Sequence, residues 1–252
     1  MGYITKRERG IEMKKKEEIL IRAICLLTFA DRCALEEKVT NGIKHSLSER
    51  EQQRKAILQW LIEKNYYNYL TFKEKNALDT QVKNVINNDI YSQENDYECI
   101  EPLLWSVGII DELHNYDDFV LDDLHIPLNI GRDHTLEGLV KRCNEVSDDT
   151  LLKRREIAML WYWRCLEGRI VSSEVTDYRS SIRKLFSEEY IKLLENDRFF
   201  DKEKNDFIVK GKVVSELNNL ELAKLEIISE RRFYAFEWLC SDEDWTDINL
   251  IC

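Results

Sequence analysis

The chain has 252 residues, 44% of them apolar, enough to bury one large core or two smaller ones. A formal charge of -11 and a pI near 5.1 argue against a phosphate-backbone binder, which rests on clustered Lys and Arg, and favour a soluble protein or one with a basic partner. With only 8 Gly and 2 Pro, against typical shares of roughly 7% and 5%, tight turns are scarce and helix is the expected class.

Residues 1–12 are polar and expected to be loosely ordered, ahead of a single helical domain over 13–252. Were translation to start at Met13, Lys14 to Lys16 before an apolar stretch would imitate a signal peptide. Glu17, Glu18 and Arg22 spoil both of its regions, so a cytoplasmic protein is expected. The 7 cysteines agree: they lie far apart, mostly in apolar segments such as Ile24-Cys25-Leu26, without a CxxC pair, as reduced thiols do. The longest uncharged run, Pro102 to Ile110, falls well short of the roughly 20 residues of a membrane span.

From Ile11 to Glu37, apolar Ile19, Leu20, Ala23, Ile24, Leu27 and Ala30 follow the spacing of an amphipathic helix. Ser48 with Glu51 reads as a capping box opening a helix that carries Ala56, Ile57, Trp60 and Leu61 on one face. Thr71 with Glu74 repeats the device before Ala77, Leu78, Val82, Val85 and Ile86. Tyr66, Tyr67 and Tyr69 between them read as core edge, with exposed binding aromatics as the alternative.

A third cap at Asn95 leads into Tyr97, Cys99, Ile100, Leu103, Leu104, Trp105 and Val107. Pro102 inside that helix predicts a kink or a late start, and Gly108 a close approach of another helix. Asp111 to Asp133 carries or adjoins His114, His125 and His134 together with Asp117, Asp118 and Asp133. Without HExxH or HxH spacing it reads as a solvated acidic loop rather than a metal site, and no cofactor is expected.

Leu136, Leu139 and Val140 predict a short helix. Ser147-Asp148-Asp149 then caps a long one from about Thr150 to Gly168, with Leu152, Ile157, Leu160, Trp161, Trp163 and Leu166 inside. Arg164 among these aromatics is expected to pair with a carboxylate, with stacking on Trp161 the alternative. Ser173 to Asn196 is another amphipathic pair, and Phe207-Ile208-Val209 is the one strand-like piece. The following GKVVS lacks the upstream glycine and the GK[ST] ending of a phosphate loop.

Glu230 to Trp245 is the densest aromatic segment. From Phe233 to Cys240 only Glu237 interrupts the apolar run, so a helix here belongs inside a core. Its charges, Glu230, Arg231, Arg232 and Glu237, then need partners from distant segments, Glu98 being assigned to Arg231. They form either a structural ion-pair network or a polar pocket. Asp242, Glu243 and Asp244 suit the first turn of a further helix capped by Ser241. The expected fold class is all-α: an irregular multi-helix bundle around a buried C-terminal aromatic helix, with at most one very short β element.

No GxSxG, GxGxxG, recognisable Cys and His arrangement or long heptad run is present. Three segments together resemble the bacterial domain-of-unknown-function family 4272. Glu98 to Ile110 is similar to its Glu-Ala-Leu run ending in Leu-Trp-Ala-Leu-Gly. Trp161-Tyr-Trp-Arg164 is similar to its Trp-Ala-x-Arg helix, and Glu230-Arg231 through Trp238-Leu239 to Asp244-Trp245-Thr246-Asp247-Ile248 resembles its ERHYALNWL and WDDV endings. Arg232 stands where the family has His, Glu237 where it has Asn, Thr246 where it has Asp, and Leu250-Ile251 where it closes with Asp-Thr, so any chemistry carried by those positions is lost. The resemblance implies a mainly helical domain in which Glu98, Arg164, Glu230, Arg231, Trp245 and Asp247 meet.

The leading expectation is therefore a non-catalytic, acidic, cytoplasmic module that binds a basic protein, of the neutralising or immunity type, and neither nucleic acid nor membrane. The alternative is a small-ligand binder or enzyme using a buried polar cluster of Glu98, Arg164, Glu230 and Arg231.

Overall fold

The apolar stretch from Ile19 to Phe29 contains a single charge, Arg22, and is buried at every one of its positions in the helix it forms. The computed structural model describes residues 13–37, 39–40, 43–84, 96–120, 123–130, 134–169, 192, 199–204 and 206–250. The segment 1–12, the Asn95 cap and the pair over 173–196 lie outside these. The described chain is mostly helical and divides into two compact units. One is made by the described residues of Lys14–Leu113 and Leu121–Glu145, the other by those of Met1–Met13, His114–Val120 and Val146–Cys252.

In the first unit α1 (Lys16–Ala34) is the central rod. Around it pack α2 (Leu47–Glu63), α3 (Phe72–Asp79), α4 (Tyr97–Ser106) and, beyond the short α5 (His125–Leu128), α6 (Leu136–Arg142). A two-stranded antiparallel ribbon, β1 (Val39–Thr40) with β2 (Ile43–Lys44), joins α1 to α2. The charges buried with the rod are consumed by the fold. Glu74 completes the capping box of α3 with Thr71 and also neutralises Arg22. Helix ends leave carbonyls without donors, and three buried arginines supply them. Arg50 donates to the carbonyls of Leu35, Glu36 and Glu37 after α1, Arg32 to those of Ala77 and Thr80, and Arg54 to that of Leu78 at the end of α3.

Helix α2 begins two residues before the expected cap. Ser46, not Ser48, receives the Glu49 amide, and Glu49 closes the box on the Ser46 amide. Glu51 is thereby freed to hold Arg54 and the Val82 amide, and the Arg54 hydrogen bonds bring its carboxyl down to about 2. Pro102 stands inside α4, where it can give no amide to the Glu98 carbonyl. The helix ends on Gly108 at φ +66, with Ile109 donating to Leu104 and Gly108 to Trp105, the paired bonds of a Schellman cap. What comes close to Gly108 is the backbone of Asn144 in the loop after α6, rather than another helix.

In the second unit α7 (Asp148–Arg169) and α8 (Asn219–Leu239) pack along each other. The aromatic C-terminal helix is buried as expected, through Leu225, Ile228, Phe233, Ala235, Phe236, Trp238 and Leu239. The strand-like run Phe207-Ile208-Val209 is the centre of a small antiparallel sheet, β3 (Phe200–Asp201), β4 (Asp206–Val209) and β5 (Lys212–Val213). Lys210 and Gly211, at φ +51 and +77, form the two-residue turn between β4 and β5, where consecutive positive φ angles match strand twist. This is the structural use of the glycine in GKVVS.

Ser241 caps no helix. Its hydroxyl donates back to the Trp238 carbonyl at 3.2 Å, and the acidic residues after it lead only into a 3-10 turn at Trp245–Asp247. Trp245 is pinned instead by ring contacts with Tyr234 and Trp238 and by the Tyr234 hydroxyl on its carbonyl.

Candidate functional site

The six residues singled out in the sequence fall in different settings. Glu98 lies buried in α4 of the first unit, and the other five belong to the second. Arg164 pairs with Asp206 through two hydrogen bonds of 2.8 Å, choosing the carboxylate over a stack on Trp161. Trp161 is instead sandwiched between Tyr116, at 4.4 Å, and Phe207, at 4.1 Å. Glu230 and Arg231 are half-buried on α8, Trp245 is held as described, and Asp247 is exposed.

The fully buried cation of α8 is Arg232, which donates to the His114 carbonyl at 2.6 Å and stacks 4.8 Å from the Tyr116 ring centre. Its neighbour Glu237 is met by Arg155 at 2.7 Å. The three histidines of the acidic stretch go to separate places, and among the described residues no group of three His, Cys, Asp or Glu is placed to hold a metal.

Three of the buried cysteines are also poor nucleophiles. Burial pushes the thiols of Cys25, Cys165 and Cys240 up to about 12, so they stay protonated at neutral pH.

One place in the first unit has the shape of a site: a cavity of about 310 Å³ lined by Glu63, Lys64, Tyr66, Tyr69, His134 and Leu136, among others. It is built by the end of α2. Asn65 takes the left-handed conformation at φ +63 that a helix stop requires and asparagine tolerates, with Asn65 donating to Ile62 and Tyr66 to Leu61. That reversal turns the Tyr66 ring inward against Trp60, at 5.7 Å between centroids, and leaves Glu63 and Lys64 on the rim.

At the inner wall His134 is 1% exposed. A carbonyl only accepts, so Nδ1 carries the proton given to Leu128 at 3.0 Å, and the bare Nε2 accepts from the Tyr66 hydroxyl at 2.8 Å. Burial lowers the imidazole pKa and raises that of Tyr66 to about 12, which keeps this pair neutral. With its nitrogens both engaged and its ring covered, His134 is a wall of the cavity and not an accessible base. Lys64 secures the same segment by donating to the His134 carbonyl at 2.8 Å. The arrangement can bind, through one carboxylate, one ammonium and two tyrosines. The sequence signal for it is Lys64-Asn65-Tyr66 at the end of an amphipathic helix, a C-terminal stop at an asparagine.

A mostly helical protein with internally neutralised charges and a small polar-rimmed cavity is the class these features define. The chain matches the family described as Domain of unknown function (DUF4272) over residues 4–181, and it belongs to that family. The match takes in Glu98 to Ile110 and Trp161 to Arg164, while the C-terminal segment from Glu230 lies beyond it. No curated protein and no solved structure matches the chain. Among the described residues no helix is long and apolar enough to cross a membrane.

Proposed function

We propose that this protein is a non-catalytic binding module of the bacterial cytoplasm whose partner is a basic protein, in the manner of a neutralising or immunity factor. The observation that carries this reading is a set of exposed large apolar side chains on an acidic chain. Ile62 in the last turn of α2 is 49% exposed, Tyr69 in the connection 58% and Phe72 at the start of α3 85%, on a protein of formal charge -11. Large aromatics left in water are the anchors that binding partners cover, and a surplus of negative charge steers a basic partner toward them. The ionic groups buried in each unit support the same reading, since Arg22 with Glu74 and Arg164 with Asp206 serve the fold. Six cysteines among the described residues are free thiols, which suits a reducing compartment.

The test begins with capture from native bacterial lysate at low salt and continues with the purified partner. The expected outcome is a stoichiometric complex that weakens as salt rises and loses about tenfold or more in affinity in Phe72→Ala, as an interface anchor does. Failure of every captured protein to reconstitute a complex, or a complex indifferent to both salt and Phe72→Ala, overturns the reading.

A further inference from the structure

We infer that the cavity at the end of α2 is a site for a small zwitterion, a free α-amino acid with an aromatic or apolar side chain. This goes beyond the protein contact proposed above and stands separately from it. The argument begins with charge. The rim carries one carboxylate, Glu63, and one ammonium, Lys64, on consecutive residues, and both line the cavity. A ligand that is only a cation or only an anion gains from one and is repelled by the other, so the two effects nearly cancel. A ligand bearing both charges gains twice.

The rim groups are already oriented without being used up. Glu63 accepts from Gln59 through Oε1 at 2.9 Å, which leaves Oε2 for a ligand ammonium. Lys64 spends one of its three N–H groups on the His134 carbonyl, which leaves two for a ligand carboxylate. Each rim charge is thus held by a neighbour of its own and not by the other.

The rest of the wall suits an apolar or aromatic side chain. Ile21 and Leu136 line it with the rings of Tyr66 and Tyr69, and the hydroxyl of Tyr66 is turned to His134. A cavity of about 310 Å³ stands at the lower end of small-molecule sites, the scale of one amino acid rather than of a nucleotide.

The experiment is isothermal titration of the full-length protein with L-phenylalanine, with phenethylamine, which lacks the carboxylate, and with 3-phenylpropionate, which lacks the ammonium. L-phenylalanine is expected to bind with a Kd of about 1 mM or tighter, and each one-charge analogue about tenfold or more weakly. Glu63→Gln should abolish the preference for phenylalanine over phenylpropionate and keep that over phenethylamine. Lys64→Gln should do the reverse, a crossed pattern that a loss of folding cannot produce. Both positions are exposed, and far-UV circular dichroism checks that both variants are helical. No binding of phenylalanine at about 10 mM, equal binding of the analogues, or variants that bind all three as the wild type does would each overturn the assignment.

Discussion

Asp206 holds Arg164 with both of its oxygens, each 2.8 Å from a guanidinium nitrogen, and also accepts the backbone amides of Phe207 and Ser215. The pair therefore ties helix α7 to the first residue of β4 and to the turn after β5. Removing one member of a buried pair strands the other charge, so Asp206→Ala should cost about 3–5 kcal/mol. Arg164→Met should cost less, because Asp206 keeps two backbone donors. Urea denaturation followed by circular dichroism measures both, and a pairwise coupling near zero in the double variant would mean that the pair does not tie these elements together.

The first turn of α2 offers a sharper choice. Ser46→Ala removes the acceptor of the Glu49 amide and should cost about 1 kcal/mol, whereas Ser48→Ala, within the helix, should cost little or nothing. The hydrogen bonds to Ser46 also hold the Glu49 carboxyl below its usual range, so the cap should weaken as acid protonates it. A larger loss in Ser48→Ala than in Ser46→Ala by the same denaturation would reinstate the later cap.

That choice shows which parts of the fold were legible. Both Ser46/Glu49 and Ser48/Glu51 satisfy the capping pattern, and only tertiary partners, Arg54 and the Val82 amide, divert Glu51. Helix α8 was readable as interior from its aromatics, yet the buried arginine is Arg232 and not Arg231. The signal was in the spacing: Leu225, Ile228, Ser229, Arg232, Phe236 and Leu239 make one stripe at helical period, and all are buried. Arg232 is among the charges expected to need a distant partner, while Ser229, being polar and uncharged, gives no such signal. Likewise the spacing in α1 predicts one apolar face, although its sequence from Ile19 to Phe29 has one charge and is covered all round. The cavity was hidden for another reason, since it needs Lys64 and His134, 70 positions apart, to meet.

Glycine is required at Gly108 for two reasons and at Gly211 for one. Both have positive φ, but a Cβ at Gly108 would collide with the Asn144 carbonyl while one at Gly211 meets nothing within 4 Å. Gly211→Ala should cost about 1 kcal/mol, for the left-handed backbone alone. Gly108→Ala should cost clearly more, as backbone that cannot yield is forced aside. Equal losses in thermal and urea denaturation would mean that the loop holding Asn144 gives way freely.

His125 and His134 should drive stability in opposite directions with pH. The Asp31 carboxylate, at 2.8 Å, together with Asp123 raises the imidazole of His125 from 6.5 to about 9 against the opposing effect of burial. Its contribution is fully present below pH 6.5 and is lost as pH rises through about 9. His134 is depressed by burial, so the unfolded chain takes up its proton more readily than the folded one. Stability is then lost as pH falls below the unfolded value of 6.5. Protonation would also put a second donor on Nε2, opposite the Tyr66 hydroxyl that now donates to it, and oblige that hydroxyl to turn. Proton NMR of the two imidazole Cε1 resonances should show His125 titrating near 9, lower in Asp31→Asn, and His134 titrating below the usual histidine range. A His125 midpoint unmoved by Asp31→Asn would separate it from that carboxylate, and a His134 midpoint at or above 6.5 would open the inner wall of the cavity to solvent.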